Sequence, residues 1–93
     1  MALIFISHEV KNGDQWAQAW QRKTNSRHEI FAKIGIKART FRDAKSPNFS
    51  GVLLDVPDMA KLNALLASPE GKKAMEEDGL KPETIRVLTE FGT

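Results

Sequence analysis

The chain has 93 residues, 41% hydrophobic and 28% charged, with a formal net charge of +2 and no cysteine. That length suits one domain over residues 1–93, and the balance of apolar and charged residues excludes a disordered chain. The missing cysteines exclude disulfides, zinc–thiolate and iron–sulfur sites and thiol catalysis, so the reducing cytoplasm is the expected compartment for so small an unstapled domain.

The first six residues lack the basic stretch and apolar length of a signal peptide, and no run approaches the roughly 18 apolar residues of a membrane span. The net charge is too small to argue for nucleic acid as a partner. Residues 1–47 hold nine Lys/Arg against four acids, and residues 48–93 hold five against eight. Attraction between the halves, within the fold or across a dimer, is the plain reading; a basic patch for an anionic ligand is the sharper one.

Residues 2–10 are β-branched and aromatic and predict a strand, with Ile4, Ile6, His8 and Val10 on one face and Leu3 and Phe5 on the other. Asn12, with Gln15 three residues on, predicts a helix start. Trp16, Trp20, Phe31 and Ile34 then share one helical stripe with Ile30 beside it, so one helix is expected up to Gly35, its stripe interrupted by Lys23, Thr24 and Arg27. Gly35–Ile36 has the form of a glycine stop, with Ile36 meeting Phe31.

Residues 36–43 alternate and predict a second strand, whose Lys37, Arg39 and Arg42 suit an edge. Residues 44–48 are turn chemistry, and residues 49–56 predict a third, central strand in which Gly51 marks a bulge or a close approach. Asp58 caps a further helix with Met59, Leu62, Leu65 and Leu66 as its buried stripe. Ser68–Pro69 breaks it, and it resumes over 69–78 until Gly79–Leu80 repeats the stop signal. Residues 84–91 predict the last strand.

The order β-α-β-β-α-β implies an α+β, ferredoxin-like fold: a four-stranded antiparallel sheet with both helical segments on one face. The other face, carrying Leu3, Phe5 and Leu53, is left bare and apolar, which predicts a contact surface.

Several pieces of the chain resemble small members of the dimeric α/β-barrel superfamily, which includes antibiotic-biosynthesis-type monooxygenases, stress-responsive proteins and cyclase-like proteins. The pieces are His8-Glu9-Val10 with Asn12 and Trp16, Gly35-Ile36-Lys37, Phe41-Arg42-Asp43 before Ser46-Pro47-Asn48, Asp58, and Leu65 to Glu70 running on to Ala74-Met75 and Gly79. Their order and spacing carry the likeness over almost the whole chain. The resemblance implies a homodimer whose two sheets pack face to face, and a pocket between sheet and helices for a small aromatic or polyketide-like ligand. It implies no particular reaction, since the superfamily holds oxygenases, isomerases, haem enzymes and proteins without known activity.

Five features stand out as candidate site residues. His8, on the helix-facing side of the first strand, is a candidate general base, or else a partly buried structural histidine. Trp16 and Trp20, one turn apart, wall an aromatic pocket or simply fill the core. Arg27 is a candidate to hold a ligand carboxylate or enolate, or else a snorkelling side chain. His28 reads as a surface residue. Asp55, with Phe5 and Leu53 on the bare face, is a candidate interface residue pairing with Arg39 or Arg86. The run Glu76-Glu77-Asp78 reads as a solvated helix end. The two histidines lack metal-ligand spacing, and no phosphate loop, dinucleotide motif or nucleophile elbow is present, so no metal and no cofactor are expected.

Three functions compete. One is a cofactor-independent oxygenase, isomerase or cyclase-like enzyme using His8, Trp16, Trp20 and Arg27. The second is a non-enzymatic homodimeric binding or stress protein. The third is an RNA-binding module of the same topology, for which Phe5 is available but the third strand offers Gly51-Val52-Leu53-Leu54 in place of a basic-aromatic motif.

Overall fold

The computed structural model describes residues 2–92. Strand β1 (Ala2–Glu9) leads into α1 (Gly13–Gln21) and α2 (Arg27–Ala32). Strands β2 (Lys37–Arg42) and β3 (Phe49–Val56) form a hairpin, and α3 (Met59–Ala67) and α4 (Pro69–Glu77) make the second crossover. A 3-10 turn (Pro82–Thr84) precedes β4 (Arg86–Thr89). The sheet order is β2-β3-β1-β4 with every neighbouring pair antiparallel, the ferredoxin-like arrangement.

The first crossover is two helices, not the single one its apolar spacing predicts. Asn25 takes a left-handed backbone (φ 54°), and Ser26 starts a new helix by accepting from the Glu29 amide. Glu29 reaches back to accept from the Asn25 amide at 3.0 Å, so the side chains form a capping exchange that the apolar stripe conceals. Both glycine stops form as expected: the Ile36 amide donates to Phe31 O and the Leu80 amide to Met75 O, with Gly35 and Gly79 at positive φ. Ser68 ends α3 and caps α4 through its hydroxyl oxygen. Gly71 lets the two helices meet closely here, because a Cβ would collide with the Leu65 carbonyl oxygen unless the backbone shifted.

The last strand is shorter than residues 84–91. Thr84 stays in the preceding turn, where its hydroxyl accepts from the Glu9 amide and donates to Lys81 O. At the other end of β1, the fully buried Val10 donates its amide to Asn48 O and Lys11 donates to Gly79 O. One dipeptide thus ties β1 to the hairpin turn and to the end of α4.

Ile4, Val52, Leu54 and Val56 meet Trp16, Trp20, Ile36 and Leu62 in the core on the helix side. Met59, expected in the buried stripe, is 38% exposed. The opposite face carries Phe5, with Leu53 and Leu88 beside it in register, and Leu3. No element of the described residues covers it, and Leu3, Phe41, Phe49 and Leu88 are exposed there. Phe5 lies across Gly51 and meets Phe41 edge-on at 5.8 Å, so Gly51 marks a close approach. Among the described residues no helix is long and apolar enough to cross a membrane.

Candidate functional site between sheet and helices

A cavity of about 220 Å³ lies between the sheet and the helices. Ile6, His8, Val52 and Leu54 form its floor, Trp16, Trp20 and Phe31 one wall, and Leu65, Leu66, Ala74 and Met75 the other. Ile85 and Val87 also line it, and Val87 is 59% exposed, so the cavity reaches the β4 edge of the sheet.

Alternation along β1 delivers His8 to this floor, opposite Ser50 in the register with β3. His8 is 3% exposed. Its Nδ1 lies 3.0 Å from the buried Ser50 Oγ, and no other side chain of the described residues bonds the ring. Burial lowers its pKa below the ordinary 6.5, more than a backbone hydrogen bond and the Asp78 charge restore, so the ring is neutral at pH 7. If Nδ1–H donates to Ser50 Oγ, Nε2 carries a lone pair and can act as a base; if Ser50 donates, Nε2 carries the proton.

The two indoles form the aromatic wall. Trp16 meets the His8 ring edge-on at 6.0 Å, and Trp20 stacks on Phe31 at 5.8 Å. Trp20 Nε1 is buried without an acceptor among the described residues. His28 is exposed and stands edge-on against Trp20 at 4.8 Å, on the outer side of the helix as its sequence position predicts.

Arg27 lies in the first turn of α2 and lines the cavity, but its guanidinium is engaged. Nε donates to Asp78 Oδ2 and Nη2 to Asp78 Oδ1, each at 2.8 Å, and both residues are buried. These bonds hold the arginine pKa above its ordinary value. Asp78 is therefore not the solvated helix end that its acidic neighbours suggest; only Glu76 and Glu77 are exposed. The pair also realises the expected attraction between the basic and acidic halves of the chain. An incoming carboxylate therefore meets a guanidinium whose charge Asp78 already neutralises.

Asp78 and Ser50 are the residues that sequence reasoning missed. Ser50 was findable, because it shares the helix-facing parity of Val52 and Leu54 and is polar there. Asp55, half-buried on the open face, sits between Leu3 and Lys37 and makes no ion pair among the described residues. Arg39 is exposed beside Leu53. The open-face residues Phe5, Leu53, Asp55 and Arg39 are thus separate from the cavity, on the other side of the sheet. No cluster of three or more His, Asp or Glu suited to a metal ion occurs among the described residues.

No protein-family model and no curated protein matches this sequence. Among solved structures, the chain superposes on one described as "Crystal structure of antibiotic biosynthesis monooxygenase", with a TM-score of 0.67 and 15% identity. The match covers 100% of this chain and 99% of that one. At this identity the likeness is one of fold, and it agrees with the ferredoxin-like fold read from the sequence.

Proposed function

We infer that this chain is a cytoplasmic homodimer that binds a small aromatic molecule in the cavity between sheet and helices and transforms it without a cofactor. The observation that carries this reading is a neutral histidine on the floor of a mostly apolar, indole-walled cavity whose two other ionisable side chains, Arg27 and Asp78, are paired with each other. Such cavities, mostly hydrocarbon with few polar groups, suit small-molecule ligands. In the tautomer that leaves a lone pair on Nε2, His8 takes a proton from a ligand hydroxyl or an acidic C–H. That proton transfer begins an isomerisation, a cyclisation or a cofactor-free oxygenation alike. The fold shared with an antibiotic biosynthesis monooxygenase favours the last.

Both tryptophans of the chain wall the cavity, so ligand entry is read directly as quenching of intrinsic fluorescence. Screening aromatic compounds in this way, followed by mass spectrometry of the products in air, tests the function. Turnover lost in His8→Gln with binding retained supports the base; turnover unchanged removes His8 from that role. Binding with no product across the screen favours the second reading, a non-enzymatic binding protein. The commitment of Arg27 to Asp78 favours that reading, since it leaves His8 as the principal polar group free to meet a ligand.

The dimer closes the open sheet face. Phe5 and Leu53 supply apolar area, and Asp55 pairs with Arg39 or Arg86 across the interface. Sedimentation at micromolar concentration is expected to give twice the 10.4 kDa of one chain, and Leu53→Asp to give the monomer. A wild-type monomer refutes the dimer.

A further inference from the structure

Three ionisable side chains line the cavity: His8, Arg27 and Asp78. Arg27 and Asp78 cancel each other through two bonds of 2.8 Å, with 9% and 8% of their side-chain surfaces exposed. An anion that takes Arg27 for itself strands the Asp78 carboxylate in a wall otherwise made of hydrocarbon, and an unpaired buried charge is strongly destabilising. A cation faces the same barrier from the other side, because Asp78 is already paired. The lining therefore offers no free counter-charge to a ligand of either sign, and transfer of an ion from water into it goes uncompensated.

The same lining holds two polar atoms without a partner among the described residues, Trp20 Nε1 and His8 Nε2, and of these only the imidazole nitrogen can accept as well as donate. Ser50 fixes the Nδ1 side of His8, and no protein side chain of the described residues bonds Nε2. Size sets a further limit. An apolar cavity of about 150 Å³ accepts benzene, and this one is about 220 Å³.

Building on the reading of the cavity as a ligand site, we propose that its ligand is uncharged. It consists of one or two apolar rings carrying a hydroxyl or carbonyl that meets His8 Nε2. Arg27 and Asp78 act as a charge filter: they close the wall between α2 and α4 while presenting no net charge to the interior. This differs from the sequence-level expectation of a carboxylate or enolate on Arg27, and it selects among ligands by charge, not by shape.

Three probes on one ring system separate the possibilities: naphthalene, 2-naphthol and 2-naphthoate, titrated by calorimetry at pH 7. The expected order has 2-naphthol tightest and naphthalene about tenfold weaker, the value of one hydrogen bond. The charged 2-naphthoate falls below naphthalene. In His8→Phe, 2-naphthol loses its advantage over naphthalene. Asp78→Asn removes the counter-charge with little change of shape, and is expected to move the preference toward 2-naphthoate by about tenfold or more. Should that variant not fold, the wild-type series decides alone. Naphthoate binding wild type as tightly as naphthol overturns the charge filter while leaving a ligand site. Equal binding of naphthol and naphthalene overturns the role of His8. Failure of all three probes to bind overturns the cavity reading itself and the proposal with it.

Discussion

The two crossovers of this fold are both broken helices, yet they are broken by different means. Between α3 and α4 the break is a single residue, Ser68, which closes one helix and caps the next, with Pro69 at the first helical position. Between α1 and α2 it is a five-residue segment, 22–26, that needs a left-handed Asn25 and a capping exchange between Asn25, Ser26 and Glu29. The tight break is stiff and sets the angle of α4 over the cavity. The loose one leaves α2, a helix of six residues, to be fixed from outside. So short a helix has little stability of its own. Arg27, in its first turn, anchors it to Asp78 just past the end of α4. The comparison teaches that the second crossover is organised by its own local chemistry and the first by a bond to the second.

If that is right, cutting the bond is the largest perturbation. Asp78→Ala leaves a buried guanidinium unpaired and is expected to destabilise by about 3–5 kcal/mol in urea unfolding. The double variant Arg27→Met/Asp78→Leu is expected to recover most of that loss, because it removes both charges. A double variant as unstable as the single one would mean that the pair does more than neutralise itself.

Gly71→Ala strikes the tight break, forcing a methyl group against the Leu65 carbonyl oxygen. Overpacking of this kind costs about 1–3 kcal/mol, read as a lower Tm. The equivalent insult to the loose break, Ser26→Ala, removes only a cap hydrogen bond at 3.3 Å and is expected to cost about 0.5–1 kcal/mol. Equal losses from the two variants would erase the distinction between the breaks.

The smallest effect is a pH dependence. Burial places the folded-state pKa of His8 below the ordinary 6.5, so below about pH 6.5 the unfolded chain binds a proton that the folded chain refuses. This contribution to stability is complete above pH 6.5. It shrinks as the pH falls from there toward the folded pKa and then levels off. The urea midpoint of wild type is therefore expected to drop between pH 7.5 and 5.5 by more than that of His8→Gln. Parallel midpoints would mean that His8 is not held neutral by its surroundings.

The unequal legibility of the crossovers has the same physical origin. Ser68–Pro69 and the glycine stops at Gly35 and Gly79 are local instructions, complete within a few residues, and the sheet order follows from chain order once the strands are found. The bare face is visible in the alternation of β1 alone, where Leu3 and Phe5 are as apolar as Ile4 and Ile6. The break at 22–26 is hidden because Trp16, Trp20, Phe31 and Ile34 stay in one helical phase across it. Asp78 is hidden for a different reason. Nothing near it in sequence distinguishes it from Glu76 and Glu77, and its burial depends on a guanidinium 51 residues away. His8 is legible as a face and not as a chemistry, since its neutrality comes from walls contributed by both crossovers.

The tie at Val10 and Lys11 has a consequence for how the molecule opens. The Val10 amide is bonded to Asn48 O, 38 residues on, and the Lys11 amide to Gly79 O, 68 residues on. Neither bond belongs to a helix or strand that can fray by itself. To expose both amides, β1 has to part from the hairpin turn and from the end of α4 at once, which undoes the fold. These two adjacent amides should therefore exchange with deuterium no faster than the whole molecule unfolds, while those of β4, an edge strand of four residues, exchange through local fluctuations.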